Sequence, residues 1–366
     1  MAFLTGLLLI DAPASALNNA GRAEEARTEN AIAVKFIRSR QGAFPYVSAQ
    51  AFRYWLRTTL EQTPEFKWKA APIFRETKIA YTDANPLDYW DDDLFGYMRA
   101  PSKKAGAAEK RKEDAARSAE TPTSTEITRV SPFRVSTLLS IAPVSVTADF
   151  GTMTRHEGDP VPHEHQFYHT VLKGLVSLNL HTAGTFSYLN RTGYRNLDDN
   201  RVEIAKKRHL EHLNGSEKSY RLPQEQRVER VVALLRALGV ICGGAKLALH
   251  YTDVTPVVFV GMITKGGNNP LQYLIGADDK GQPRVNTDAV QQSLAAWRDQ
   301  ILSKLYVGWV QGFCDAEMAG FQNELKKFND GKQPEDALRF EFGHPRNILE
   351  QMAKDLSDQS NAEWLG

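Results

Sequence analysis

Residues 3–10 (Phe-Leu-Thr-Gly-Leu-Leu-Leu-Ile) form a continuous apolar run, the pattern of a strand covered on both faces. Residues 11–30 read as a loop, and a second apolar run at 31–37 leads to the turn signal Gln41-Gly42. Ser48 stands at an N-cap position and predicts a helix to about residue 62, with Phe52, Trp55 or Leu56, and Leu60 inward. Arg53 and Arg57, four apart, share another face of that helix. Strand signals recur at 135–142, 175–180, 184–189 and 256–263. Residues 224–238 read as an amphipathic helix with Val228, Val231 or Val232, Leu235 and Leu238 inward and Gly239 closing it. Beyond Asn286-Thr287-Asp288, the stripe Val290, Leu294, Trp297, Ile301, Leu305, Trp309 and Phe313 predicts one long helix ending at 329–331.

Two stretches interrupt the pattern. Residues 100–126 are dominated by Ala, Lys, Glu, Ser and Thr and read as a mobile insertion, and 191–223 are polar and charged with little apolar periodicity. No internal repeat appears, which excludes a solenoid or propeller. Without the two insertions the order approaches βαββαβ, a ferredoxin-like or RRM-like core.

Composition narrows the class. At 366 residues, 42% hydrophobic and 24% charged, the chain is an ordinary globular one with room for a substantial core. No apolar run approaches the ~20 residues a membrane span needs. The run at 3–10 has no basic segment before it and Asp11 after it, so it is not read as a signal peptide. Cys242 and Cys314 are too few for a disulfide framework or a four-cysteine zinc site, so a reducing cytoplasm is expected. The net charge of +1 argues weakly against nucleic acid, yet the charge is unevenly spread. Residues 22–57 hold seven basic and three acidic residues, while 315–366 hold eleven acidic and six basic. Such a chain can carry a basic groove, or dock its acidic end on a neighbour's basic one.

Motifs for catalysis are weak. His156, His163, Glu164, His165 and His169 invite a metal reading, but the spacing departs from His-Glu-x-x-His, and Pro160 and Pro162 oppose a helix. Gly239-Val-Ile-Cys-Gly-Gly-Ala-Lys246 lacks the Gly-Lys-Ser/Thr ending of a phosphate loop and follows a helix. Asp88, Asp91, Asp92 and Asp93, interleaved with Tyr89 and Trp90, read as a solvated or partner-facing turn in preference to a two-metal site. No Gly-x-Ser-x-Gly elbow is present, and neither cysteine has a histidine nearby. What remains is basic material on a scaffold of sheet and helix, suited to phosphates or to a solvated surface.

In order along the chain stand Asn18-Asn19-Ala-Gly-Arg22, then Tyr46-Val-Ser48-Ala-Gln50-Ala-Phe-Arg53-Tyr-Trp-Leu-Arg57, then Asp93-Leu-Phe-Gly-Tyr-Met98. Thr128-Arg129-Val-Ser-Pro-Phe-Arg134 and Gln166-Phe-Tyr168 follow. With this ordered set the chain resembles, over residues 1–265, the backbone subunit of type I CRISPR Cascade surveillance complexes (RAMP superfamily, DevR-type autoregulator branch). The resemblance implies an α+β fold: an RRM-like (ferredoxin-like) palm with a large finger insertion and a thumb β-hairpin. The palm would comprise 1–65, 174–189 and 224–366, the fingers 66–173 and the thumb 190–223.

It further implies a non-catalytic subunit that binds guide RNA (crRNA), oligomerises head-to-tail along it and presents the guide for pairing with target DNA. Expected partners are crRNA, target DNA through the guide, copies of itself, other Cascade subunits, and a helicase-nuclease or transposition proteins. No cofactor, metal or membrane is expected. The RNA-contacting residues expected are Asn19, Arg22, Arg27, Lys35, Arg38, Ser48, Gln50, Arg53, Arg57, Arg134, Met153 and Gln166. Met153 would wedge against a base, with a buried methionine as the alternative. Two other readings stay open. One is a metal-dependent RNA nuclease using the histidines or Glu24, Glu25 and Glu29, although Asp11 lies too near the first strand's end to match related RNA-cutting subunits. The other is a DNA-binding transcriptional autoregulator, which lacks a convincing helix-turn-helix.

Overall fold

A computed structural model describes residues 1–23, 27–75, 79–101, 117, 120–215 and 218–366. The chain is a mixed α+β fold built on a large mixed sheet. At its centre lies β1 (Ala2–Ser15), buried almost throughout. Its side chains alternate between two cores: Leu4, Leu8 and Ile10 enter one, Leu7 and Leu9 the other. That two-sided burial is why the run lacks polar alternation. Gly6 fits there because a Cβ would approach Val176 Cγ2 to 2.8 Å and the Phe259 ring to 3.0 Å.

On one side β1 pairs antiparallel with β13 (Val161–Asn179), which pairs antiparallel with β11 (Leu138–Ser140). On the other it pairs antiparallel with β17 (Val258–Lys265). Four strands therefore lie in the order β17-β1-β13-β11, each antiparallel to its neighbours. Helix α1 (Ala49–Gln62) falls between β1 and β11 in the chain, and α4 (Gln224–Leu238) between β13 and β17. Both contribute to the first core, with Phe52, Leu56, Val231 and Leu235 fully buried. Ser48 caps α1, its hydroxyl accepting from Ala51 N–H at 3.3 Å.

The second core covers the opposite face with α5 (Thr287–Ala296) and α6 (Asp315–Asn329). This corrects the long helix read from 287 to 329. Residues Leu305–Trp309 are instead a buried strand, β20, antiparallel to β17 and parallel to β21 (Phe340–Gly343). The stripe misled because a spacing of four is also twice the strand period of two. Leu305, Val307 and Trp309 face the second core while Tyr306 faces the first. Gly308 has no room for a side chain, since a Cβ would lie 2.4 Å from the Pro345 backbone at the start of α7 (Pro345–Ser357).

Residues 191–223 are also more ordered than their polarity suggested. They hold α3 (Asp199–Lys207) and the hairpin β15 (Glu211–Leu213)–β16 (Ser219–Arg221), which joins β14 (Thr185–Ser187) in a three-stranded sheet. A small core of Leu87, Phe186, Leu197, Ala205, Tyr220 and Leu222 sits beneath. The boundary read at 173/174 falls inside β13, which runs unbroken through it. The insertion at 100–126 lies largely outside the described residues, as do Glu24 and Glu25.

The aspartate run is not a solvated turn. Asp91, Asp92 and Asp93 are buried in α2 (Trp90–Phe95). Asp93 accepts from both Arg129 and Arg230, the latter at 2.6 Å, and from Gly184 N–H at 3.0 Å. Asp91 accepts from Ala71 N–H at 2.7 Å. Asp92 accepts from Asn85 N–H at 2.9 Å and Thr82 Oγ1–H at 2.5 Å, yet burial and the adjacent Asp91 raise its pKa to about 7. Because the folded chain holds this proton more tightly than the unfolded one, its stabilising effect is full in acid and fades as pH rises toward about 7. Asp92→Asn is expected to flatten the fall in unfolding free energy between about pH 4 and 8. Urea titrations across that range check this; an unchanged slope would place the titrating group elsewhere.

Candidate nucleic-acid interface

At the margin of the large sheet, β2 (Asn19–Arg22) pairs with β3 (Ala31–Val34), and β3 runs parallel to β13 at Glu164 and His165. The hairpin β4 (Phe36–Ser39)–β5 (Gly42–Val47) turns at Arg40-Gln41, as the Gln41-Gly42 signal predicts. Backbone bonds from Lys35 N–H to Asn18 O (2.9 Å) and from Tyr46 N–H to Lys35 O (3.1 Å) hold these hairpins together. Between them opens a cavity of about 720 Å³, lined by Arg22, Lys35, Phe36, Arg38, Tyr46 and Gln166, among others.

Four residues expected to contact RNA thus meet in one place: Arg22, Lys35, Arg38 and Gln166. The alternation of β4 places Phe36 and Arg38 on one face, with the Arg38 guanidinium 5.0 Å from the Phe36 ring centre. Gln166 is fixed because its Oε1 accepts from Val34 N–H at 3.3 Å. Arg22, Lys35 and Arg38 form no ion pair among the described residues, and Glu164 is the one carboxylate among the lining residues. Glu164 is held by the Arg27 backbone N–H at 3.3 Å. Three cations, an aromatic ring and an amide around an open cleft are the donor set for a single-stranded polyanion. Phe36 was missed from sequence, where it reads as an apolar strand residue.

The other expected residues lie elsewhere. Asn19 is on β2 with its Oδ1 buried and without a hydrogen-bond partner, Arg27 and Gln50 are exposed, and the Ser48 hydroxyl serves as the helix cap. Arg134 lines a separate cavity. Met153 ends β12 (Thr147–Met153), which forms a hairpin with β13, and its side chain is 51% exposed and not buried.

Arg53 and Arg57 are half-buried over the Phe95 ring, their guanidinium carbons 5.4 and 4.3 Å from its centre. Arg53 also donates to Phe95 O and, at 3.3 Å, to Ser131 Oγ. Burial, reinforced by Arg57, lowers the Arg53 pKa to about 10. These partners join α1 to α2. Arg53→Ala is therefore expected to cost about 1–2 kcal/mol of stability, from the cation–π contact and the two hydrogen bonds, with little effect on the salt dependence of RNA binding. Denaturation and binding titrations on one variant separate the effects; a salt slope lower by about one would make Arg53 a phosphate contact.

Of the histidine segment, His163, His165 and His169 belong to the strand β13, while His156 lies before it. His165 is buried, with Nε2 3.4 Å from Asp149 Oδ2 and its ring 4.9 Å from that of His250. Burial, Lys246 and His250 lower its pKa and favour the neutral imidazole. Among the described residues, no group of three or more His, Cys, Asp or Glu is arranged to hold a metal ion. Asp11 lies within β1, and burial raises its pKa despite the opposing charge of His169.

No protein-family model matches this chain, and no curated protein does. Among solved structures, a chain of a "CRISPR RNA-guided surveillance complex" aligns with 96% of this chain and 99% of its own, at 11% identity and a TM-score of 0.43. A chain of a "CRISPR RNA-guided surveillance complex, pre-nicking" aligns with 97% of this chain and 100% of its own, at 11% identity and a TM-score of 0.47. Alignments this loose transfer no residue roles. No helix among the described residues is long and apolar enough to cross a membrane.

Proposed function

We propose that the chain is a non-catalytic guide-RNA-binding backbone subunit of a type I CRISPR surveillance complex, working in the cytoplasm beside further copies of itself. The observation that carries this reading is the convergence of Arg22, Lys35, Arg38 and Gln166 on one cleft with Phe36 and Tyr46. Those four come from three separate segments of the chain.

The strand order β17-β1-β13-β11 with α1 and α4 on one face supports an RRM-like palm. An RRM commonly stacks bases on its open sheet face. Here that face is buried under α5 and α6, so RNA is directed to the cleft beside the sheet. Free cations with few base-reading groups suit a protein that must hold any guide sequence. Pairing with DNA would then belong to the guide itself.

Expression in cells, nuclease treatment at moderate salt and sizing of the retained RNA test the reading. Protected fragments whose lengths rise in regular steps, on particles of several subunits, are the expected result. A monomer free of nucleic acid would sink it.

A further inference from the structure

A second cavity, of about 590 Å³, lies at the other end of β13 from the basic cleft. From Gln166 to Asn179 the strand advances thirteen residues, roughly 40 Å at the usual rise. The cavity opens where the end of β13, the link before β10 (Phe133–Val135) and the segment 185–196 meet. Its lining includes Arg134, His181, Arg191, Tyr194, Asn196 and Ser219, with no carboxylate among the described residues.

Three features point to the ligand. Tyr194 is 55% exposed, and the Arg191 guanidinium stands 4.6 Å from its ring centre, leaving an aromatic surface beside a cation. Arg134 is exposed and forms no ion pair or hydrogen bond through its side chain among the described residues. Ser219 is 1% exposed, yet its Oγ has no hydrogen-bond partner. A buried hydroxyl left unpaired at a cavity wall is a polar group awaiting a ligand or water. Arg129 also borders the cavity, but Asp93, Thr182 O, Thr185 O and Asn196 Oδ1 already engage it, so it frames the site and is not free to bind.

We propose that this cavity is a second nucleotide site, which takes one nucleotide of a single RNA strand with its base on Tyr194 and its phosphate between Arg134 and Arg191. Stacking accepts any base, and two guanidinium groups suit a phosphate. The assignment rests on the RNA-binding reading and extends it to a site well separated from the first.

The test is photo-cross-linking of the full chain to a single-stranded RNA carrying 5-bromouridine, with the attached peptides mapped by mass spectrometry. Cross-links are expected both within residues 36–46 and at Tyr194. Tyr194→Ala is expected to abolish the second while keeping the first, and Tyr194→Phe to retain binding. Arg134→Ala with Arg191→Ala is expected to lower the Tyr194 cross-link about tenfold. Cross-links confined to residues 36–46 would overturn this site and leave the RNA reading standing. No cross-link anywhere would overturn both. Loss of the Tyr194 cross-link alone on adding free uridine monophosphate at modest excess would reassign the cavity to a free nucleotide and overturn the strand assignment.

Discussion

Asp93→Ala is expected to destabilise the chain by about 3–5 kcal/mol, the largest stability effect of any single substitution considered. The carboxylate is fully buried and binds two arginines that are themselves almost completely buried, Arg129 and Arg230. Burial already lowers the Arg230 pKa, and the charge of Asp93 opposes that shift. Removing the carboxylate leaves two guanidinium groups facing each other in a poorly solvated space. Their remaining partners are carbonyls, such as Pro86 O at 2.8 Å and Leu87 O at 3.1 Å for Arg230, which offset only part of the loss. The same carboxylate ties α2 to the turn before β14 through Gly184 N–H. Thermal unfolding checks this, with Asp93→Asn as the milder comparison. A drop within ~0.5 kcal/mol, the range of ordinary surface substitutions, would refute the central role given to this pair network.

The second large effect concerns binding. The triple variant Arg22→Ala, Lys35→Ala, Arg38→Ala is expected to weaken single-stranded RNA binding on the order of 10²-fold and to reduce the log–log salt slope by about two units. Each cation contributes roughly 0.7 to that slope on a single strand, and three are removed. Arg22 and Arg38 are exposed and Lys35 is half-exposed, so the fold should tolerate all three changes. Because the expected contacts are to phosphates, the loss should be similar for unrelated RNA sequences. Fluorescence anisotropy with several RNAs over a salt series measures both quantities. A loss that depends strongly on sequence would convert these residues from phosphate contacts to base readers, and an unchanged slope would move the interface elsewhere.

The two predictions divide the arginines in a way the sequence could not. Arg129 and Arg230 are structural cations, whereas Arg22 and Arg38 are available for a partner. In a linear chain they are the same residue type with the same tendency to be solvated. Arg230 lies on the amphipathic helix α4, and nothing in its spacing indicates that Asp93, 137 residues earlier, meets it. Arg201 repeats the point: a charged residue in a polar stretch, it is fully buried against Ala84 O at 2.6 Å and Asp198 Oδ1 at 3.0 Å. The resemblance places Arg53 among the RNA contacts, whereas the structure supplies it with partners from α2.

Local pattern by itself determined the central strand, the Ser48-capped helix, the turn at Gln41-Gly42 and the helix at 224–238. Each depends on contiguous residues whose periodicity or capping chemistry acts over one or two turns. It also determined that the segment near the chain's start is rich in basic residues. Only the tertiary structure decided which charges are buried, because burial depends on what packs from distant segments and a guanidinium can be either solvent-facing or enclosed by carbonyls. It likewise decided that 305–309 is a strand, since pairing with β17 and burial on both faces outweigh a spacing compatible with helix and strand alike. The cleft belongs to the same class of decision. Arg22, Lys35, Arg38 and Gln166 come together because β13 pairs with β3 across more than a hundred residues of chain, a nonlocal hydrogen-bonded register that no local pattern encodes.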